Sequence, residues 1–278
     1  MRKQLFHVFR NTPFGRETLI QSAYFCKVSK VSLSVYIPKL PQYLMYFDRG
    51  IVTVDLDRAF LRSPETARDH LNRILEPFGI PFSLFEPTSF TASALPEIPT
   101  RWKYMCCPRS ISDLSTKVGL GYIGPRVRTI VRHSPFPVLI TAPVYRPWKS
   151  IACFFGGSAN SINTLLCSMR LSSRTGLPVQ MITFGEGKSQ EHYRKAMRAD
   201  GRIDPAAVDA LPWLFFEKGD IRENLFEVPH DALVVVGAYG HGLAKELFFG
   251  SKMELIQSVL PNQMLIVGPT YKAEEPGS

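Results

Sequence analysis

Apolar residues recur along this chain in short runs bounded by glycine, proline and polar clusters, and the runs alternate with stretches of helical period. A run of four to six apolar residues reads as a strand covered on both faces, the situation of a parallel sheet. Residues 232–237, Ala-Leu-Val-Val-Val-Gly, are the clearest case. The same reading predicts strands at 150–155, 179–184, 213–216 and 263–267. Between them, Ile162, Leu165, Leu166 and Met169 share one helical face behind Gly156-Gly157-Ser158. Further helices are predicted over 190–198, from the N-cap Asp220, and over 252–260, where Met253, Ile256 and Leu260 face one way. In the first half, strands are expected at 4–9, 31–37, 81–86 and 102–107, and helices at 18–29 and from Ser63-Pro64 to about Pro77.

The two halves repeat. Residues 124–143 (GPRVRTIVRHSPFPVLITAP) and 250–269 (GSKMELIQSVLPNQMLIVGP) align at a constant offset of 126. Each reads as a glycine, a helix, a proline-marked turn and a closing apolar strand. A repeat of this length is a duplicated domain, joined near Val144–Lys149. Strands alternating with helices give α/β architecture: two tandem doubly wound, Rossmann-like parallel sheets, five-stranded where the pattern is complete. The predicted domains are 1–145 and 149–270. Residues 38–59 have no counterpart in the second half. Within them, 43–47 and 51–56 flank Asp48-Arg49-Gly50 and predict a hairpin with a three-residue turn, either projecting as a subunit contact or folding back on its own domain.

Composition narrows the class. An apolar fraction of 45% supports a core, and no apolar run approaches the ~20 residues a bilayer span needs. The first ten residues are too broken to read as a signal peptide. Five cysteines without metal spacing are expected as buried hydrophobes in a reducing cytoplasm. The net charge of +9 is lopsided: residues 1–149 carry 21 Lys and Arg against 10 Asp and Glu, and the remainder 12 against 14. No helix-turn-helix or aromatic-basic signature accompanies that charge, so a solvated basic surface is favoured over nucleic acid. The same applies to Arg126, Arg128 and Arg132, expected as exposed helix charges.

The 232–237 run leads into Gly237-Ala-Tyr-Gly240-His241 and, with nine residues between Gly240 and Gly250, into Gly250-Ser251 ahead of a helix. A strand end, bare glycine backbone and a helix N-terminus suit an anion, since unpaired N–H groups point at it. Each residue also has a plain structural reading: Ser251 and Glu254 form a capping box, and the glycines can shape a turn. The set Gly-x2-Gly-x9-Gly-Ser resembles the nucleotide signature of the universal stress protein (UspA) family, and all four positions match. The resemblance covers nearly the whole chain, strong over 149–269 and degraded before. It implies an adenine nucleotide alpha hydrolase-like fold, an intramolecular pseudo-dimer with further homodimer association, and ATP, with or without Mg2+, as ligand. It implies that Gly237 and Gly240 lie against ribose and phosphate, that Gly250 and Ser251 hold the outer phosphates, and that the crevice lies between the first and fourth strands, beside Gly156.

Two departures matter. Where many ATP-binding members carry an Asp after the first strand, this chain has Gly156, and Arg10 in the first half. Subtracting 126 from Gly237, Gly240 and Ser251 gives Ile111, Leu114 and Pro125, so nucleotide binding is expected in the second half alone. Gly157-Ser158 could offer N–H groups in place of the carboxylate. His241, Tyr239 and Lys245 sit in the glycine loop, each also readable as an ordinary loop residue. Gly185-Glu-Gly-Lys188-Ser189 mimics the end of a Walker A loop but lacks its first glycine, Ile182 standing there, and reads as a turn with Ser189 as N-cap. No HExxH pair, nucleophile elbow or catalytic set stands out. The expected function is an ATP-binding regulatory stress protein; the alternatives are an interaction scaffold with an empty site and a slow ATP hydrolase.

Overall fold

A computed structural model describes residues 4–56, 64–109, 123–238, 255–256 and 258–273. The chain runs β1 (Gln4–Val8), α1 (Pro13–Ser29), β2 (Ser32–Tyr36), β3 (Gln42–Phe47), β4 (Gly50–Asp55), α2 (Pro64–Leu75), β5 (Phe82–Leu84), β6 (Glu97–Ile98), β7 (Tyr104–Cys107), α3 (Pro125–His133) and β8 (Val138–Ile140). It continues with β9 (Ser150–Phe154), α4 (Ala159–Thr175), β10 (Val179–Phe184), α5 (Gln190–Asp200), α6 (Pro205–Ala210), β11 (Trp213–Phe216), α7 (Ile221–Leu225), β12 (Ala232–Gly237) and β13 (Met264–Val267). Ten strands form one sheet in the order β11-β10-β9-β12-β13-β8-β7-β1-β2-β5. Every pairing in it is parallel except β8 with β13, where Leu139 faces Leu265. Counted outward from that seam, each half runs fifth, fourth, first, second, third strand.

Alternation along the strands feeds two cores. In β12, Leu233 and Val235 enter one cluster, and Val234 and Val236 the other. The first cluster takes the apolar faces of α1, α2, α4, α5 and α6. The second takes α3, α7, Ile256 and Leu260. Full burial of β12 on both sides is what makes its sequence read as an unbroken apolar run.

The hairpin folds back. Tyr43, Met45, Val52 and Val54 are buried in the second cluster beside Phe6 and Trp102, and β3 also pairs with the short β6. Phe47 pairs with Gly50, so the turn holds two residues, Asp48 and Arg49, not three. Arg126 on α3 pairs with Asp55 of β4, and Arg128 Nε donates to the Ile123 carbonyl at 2.7 Å. Arg126 and Arg128 are thus half-buried and paired within their own chain where exposed charges were expected, and Arg132 is exposed.

The halves meet through a buried polar network. Gln21 of α1 donates to the Ala142 carbonyl at 2.9 Å and accepts from Ala142 N and Gln263 Nε2, each at 2.8 Å. Trp148 Nε1 donates to Gln263 Oε1 at 2.8 Å. With these groups satisfied, the network fixes register between the halves, which an apolar contact would leave looser. No described helix is long and apolar enough to cross a membrane.

Candidate functional site

Gly156 and Gly237 emerge side by side at the carboxyl ends of β9 and β12, which are paired in parallel. Such ends are where open α/β sheets hold ligands. Gly240, His241, Gly250 and Ser251, with Tyr239 and Lys245, lie outside the described residues.

Gly237 has a packing reason to be glycine. A Cβ there would stand 2.6 Å from Thr164 Oγ1 and 3.1 Å from Asn160 Nδ2, both on α4. The helix thus lies too close to β12 for any side chain, and the turn explanation is not needed. Asn160 then ties the strand ends together, donating to the Ala238 carbonyl at 2.7 Å and to the Val267 carbonyl at 3.1 Å. Its Oδ1 is buried with no hydrogen-bond partner among the described residues. A buried acceptor left in that state is a group a ligand or a further chain segment can satisfy.

Gly156 is different. It is exposed, and among the described residues a Cβ would meet only Ser161 Oγ, at 3.8 Å. The donors expected from this turn are partly spent, however. Gly156 N and Ser158 N both donate to Ser161 Oγ, at 3.3 and 3.1 Å, and Ser158 caps α4 through Ser161 N. Gly157, at φ +77°, needs its glycine: a Cβ would also lie 3.1 Å from the Tyr193 ring. Asn160, Ser161 and Thr164 are the residues sequence reasoning passed over. Polar residues at 160, 161 and 164, interleaved with the apolar Ile162 and Leu165, were the available signal.

The matching crevice of the first half is filled. Strand pairing sets the correspondence: Cys107 faces Ile140, and Val236 faces Ile266. Since 266 − 140 is 126 but 236 − 107 is 129, the counterpart of Gly237 is Pro108, not Ile111, which lies outside the described residues along with Leu114. Arg10 does correspond to Gly156, as expected, because His7 pairs with Cys106 as Cys153 pairs with Val235. Arg10 is buried, and together with Tyr43, Leu56 and Pro108 it reduces the space to about 20 Å³. That volume holds about one water molecule. His7 beside it is held neutral, its pKa lowered to about 3 by burial and then by Arg10.

The Walker-like segment is a turn. Lys188 N donates to the Gly185 carbonyl at 2.8 Å, Glu186 and Gly187 take positive φ, and Ser189 Oγ caps α5 by accepting from His192 N. All five cysteines are free and buried. Among the described residues, no three His, Cys, Asp or Glu side chains are grouped to hold a metal.

No protein-family model and no curated protein matches this sequence. Solved structures do match its shape. A universal stress protein from Archaeoglobus fulgidus superposes with a TM-score of 0.61 at 13% identity, over 96% of this chain and 99% of that one. A putative universal stress protein from Pseudomonas aeruginosa gives 0.55 at 14%, over 96% and 94%. The cytoplasmic domain of a prokaryotic cation chloride cotransporter gives 0.52 at 12%, over 96% and 95%. At such identities the likeness is one of fold, and one fold hosts several functions. The chain resembles the universal stress proteins along nearly its whole length, and theirs is the fold it adopts.

Proposed function

We propose that this chain is an ATP-binding regulatory protein of the universal stress kind. Its tandem domains, 1–145 and 149–270, pack as a pseudo-dimer, and nucleotide binds in the second. The mirrored strand order about the β8–β13 seam supports the duplication. The observation that carries the site is the contrast between the two crevices. Open backbone at Gly156 stands beside the strand that feeds Gly-x2-Gly-x9-Gly-Ser, whereas Arg10 and Pro108 close the equivalent place. Gly237, Gly240, His241, Gly250 and Ser251 would line the phosphate side and Gly156 the nucleoside side. Mg2+ bound with the phosphates would neutralise part of their charge. Five buried thiols suit a reducing cytoplasm.

A second reading, an interaction scaffold with an empty crevice, is favoured by the missing carboxylate at Gly156 and by the N–H groups taken up by Ser161. Mass spectrometry of small molecules released from the freshly purified, denatured protein separates the two. ATP titration of the wild type and of Gly240→Val then tests the site. Adenine nucleotide bound by the wild type and lost in a folded Gly240→Val is expected; equal affinity in both defeats the assignment.

A further inference from the structure

A cavity of about 340 Å³ opens where the segment after β13 passes the start of β7. Its wall carries Lys103, Arg170, Arg174 and Lys272, against the carboxylate of Asp48. Arg170 and Arg174 stand one turn apart on α4. Arg170 lies about 15 Å along that helix from Asn160, so the cavity is separate from the glycine crevice.

Two features of the cavity point to a ligand. Arg170 Nη2 is buried and has no hydrogen-bond partner among the described residues. Leaving a buried, charged donor unsatisfied is costly, and an acceptor entering the cavity relieves it. Arg170, Arg174 and Lys272 also converge on this one space, with Asp48 the one described carboxylate in its wall. Tyr271, with prolines 135 and 137, supplies an apolar side to the same space. Guanidinium forks match phosphate oxygens in pairs, and the volume sits at the small end of ligand sites, about 300–1,000 Å³.

We propose that this cavity binds a small, multiply charged phosphate compound, a diphosphate or a compact phosphate ester, through Arg170, Arg174 and Lys272. The proposal stands independently of the nucleotide reading of the crevice.

Calorimetric titration with pyrophosphate tests it, using the full chain at low salt. The wild type should bind one equivalent, and Arg170→Gln and Arg174→Gln should each weaken binding about tenfold or more. Lys272 is exposed, so Lys272→Gln should fold unperturbed and still weaken binding several-fold. Lys149→Gln removes an exposed cation paired with Asp231 elsewhere and should leave affinity unchanged. Wild-type affinity in Arg170→Gln and Lys272→Gln, or an equal loss in Lys149→Gln, overturns the cavity and points to diffuse surface charge. Loss confined to Gly240→Val also overturns it, by assigning the pyrophosphate to the crevice.

Discussion

Replacing Gly237 with alanine adds one methyl group, and the surroundings of that methyl decide its effect. The new Cβ would lie 2.6 Å from Thr164 Oγ1, 3.1 Å from Asn160 Nδ2 and 3.4 Å from the Asn160 carbonyl oxygen. The hydroxyl cannot swing away freely, since Thr164 Oγ1 donates to that carbonyl at 2.8 Å. Either α4 moves off the sheet or Asn160 gives up its bonds to Ala238 and Val267. Overpacking of this kind costs about 1–3 kcal/mol. With a urea m-value of about 3 kcal/mol/M, the midpoint should fall by roughly 0.3–1 M. Thr164→Ala removes the atom in the way, at a cost of its own of about 1 kcal/mol for a lost hydrogen bond and methyl. The double variant should therefore be more stable than the sum of the two losses predicts, with a coupling of about 1–2 kcal/mol. Denaturant melts of the four proteins measure it. Additive losses, or a Gly237→Ala protein as stable as wild type, would refute the packing argument and return Gly237 to ligand approach alone.

Gly156 should behave in the opposite way. Among the described residues a side chain there meets only Ser161 Oγ, so Gly156→Asp is expected to fold with wild-type stability. It restores the carboxylate that the family resemblance places after the first strand, and ATP affinity should rise about tenfold, read by calorimetry. His7 is buried neutral with its pKa lowered to about 3, against 6.5 when unfolded. The unfolded chain then binds the extra proton between those values, so this contribution is intact above pH 6.5 and lost as pH falls toward 3. The upper bound is about 4–5 kcal/mol. His7→Asn should flatten the loss of stability between pH 6.5 and 4 in denaturant melts; an unchanged slope would exclude His7 as its source. Burial pushes Cys106, Cys153 and Cys167 up to about 12 and raises Cys26 and Cys107 as well. Iodoacetamide at pH 8 should label none of the five thiols until the protein is denatured, and rapid labelling of the native protein would contradict the burial.

The strands were legible in the sequence because a sheet covered on both faces writes itself as unbroken apolar runs, as in β9, β12 and β13. The elements that were missed lack such a run. β6 is two residues long and exists because Leu44 N finds the Pro96 carbonyl at 2.9 Å, a contact between segments some fifty residues apart. α1 begins at Pro13, five residues ahead of expectation, although Thr12 as cap and Pro13 behind it were readable signals. Gly15, inside that first turn, is glycine because a Cβ would lie 1.8 Å from the Arg10 carbonyl oxygen. α6 carried its signal in Asp204-Pro205, a cap and a first-turn proline, and was passed over for its brevity. Whether the hairpin projected or folded back was beyond the sequence, since burial of Tyr43 and Val54 depends on what Phe6 and Trp102 present to them.

The site shows the same limit more sharply. A constant offset of 126 holds across α3–β8 and the closing strand of the second half, where no insertion intervenes. It fails one strand earlier, because the first half uses three more residues between its fourth and fifth strands. Ladder pairing, not spacing, identifies Pro108 as the partner of Gly237. The correction strengthens the asymmetry it was meant to test. A proline at the strand end has no N–H to offer a phosphate, and Arg10 already places a cation in the remaining space. In the first half, side chains of the chain itself occupy the place that corresponds to Gly156 and Gly237. The hairpin that supplies Tyr43 and Leu56 to that plug is also the segment without a counterpart in the second half. The filled crevice and the inserted hairpin are therefore one structural feature, and a variant that removes the plug should open space in the first half without creating a phosphate site.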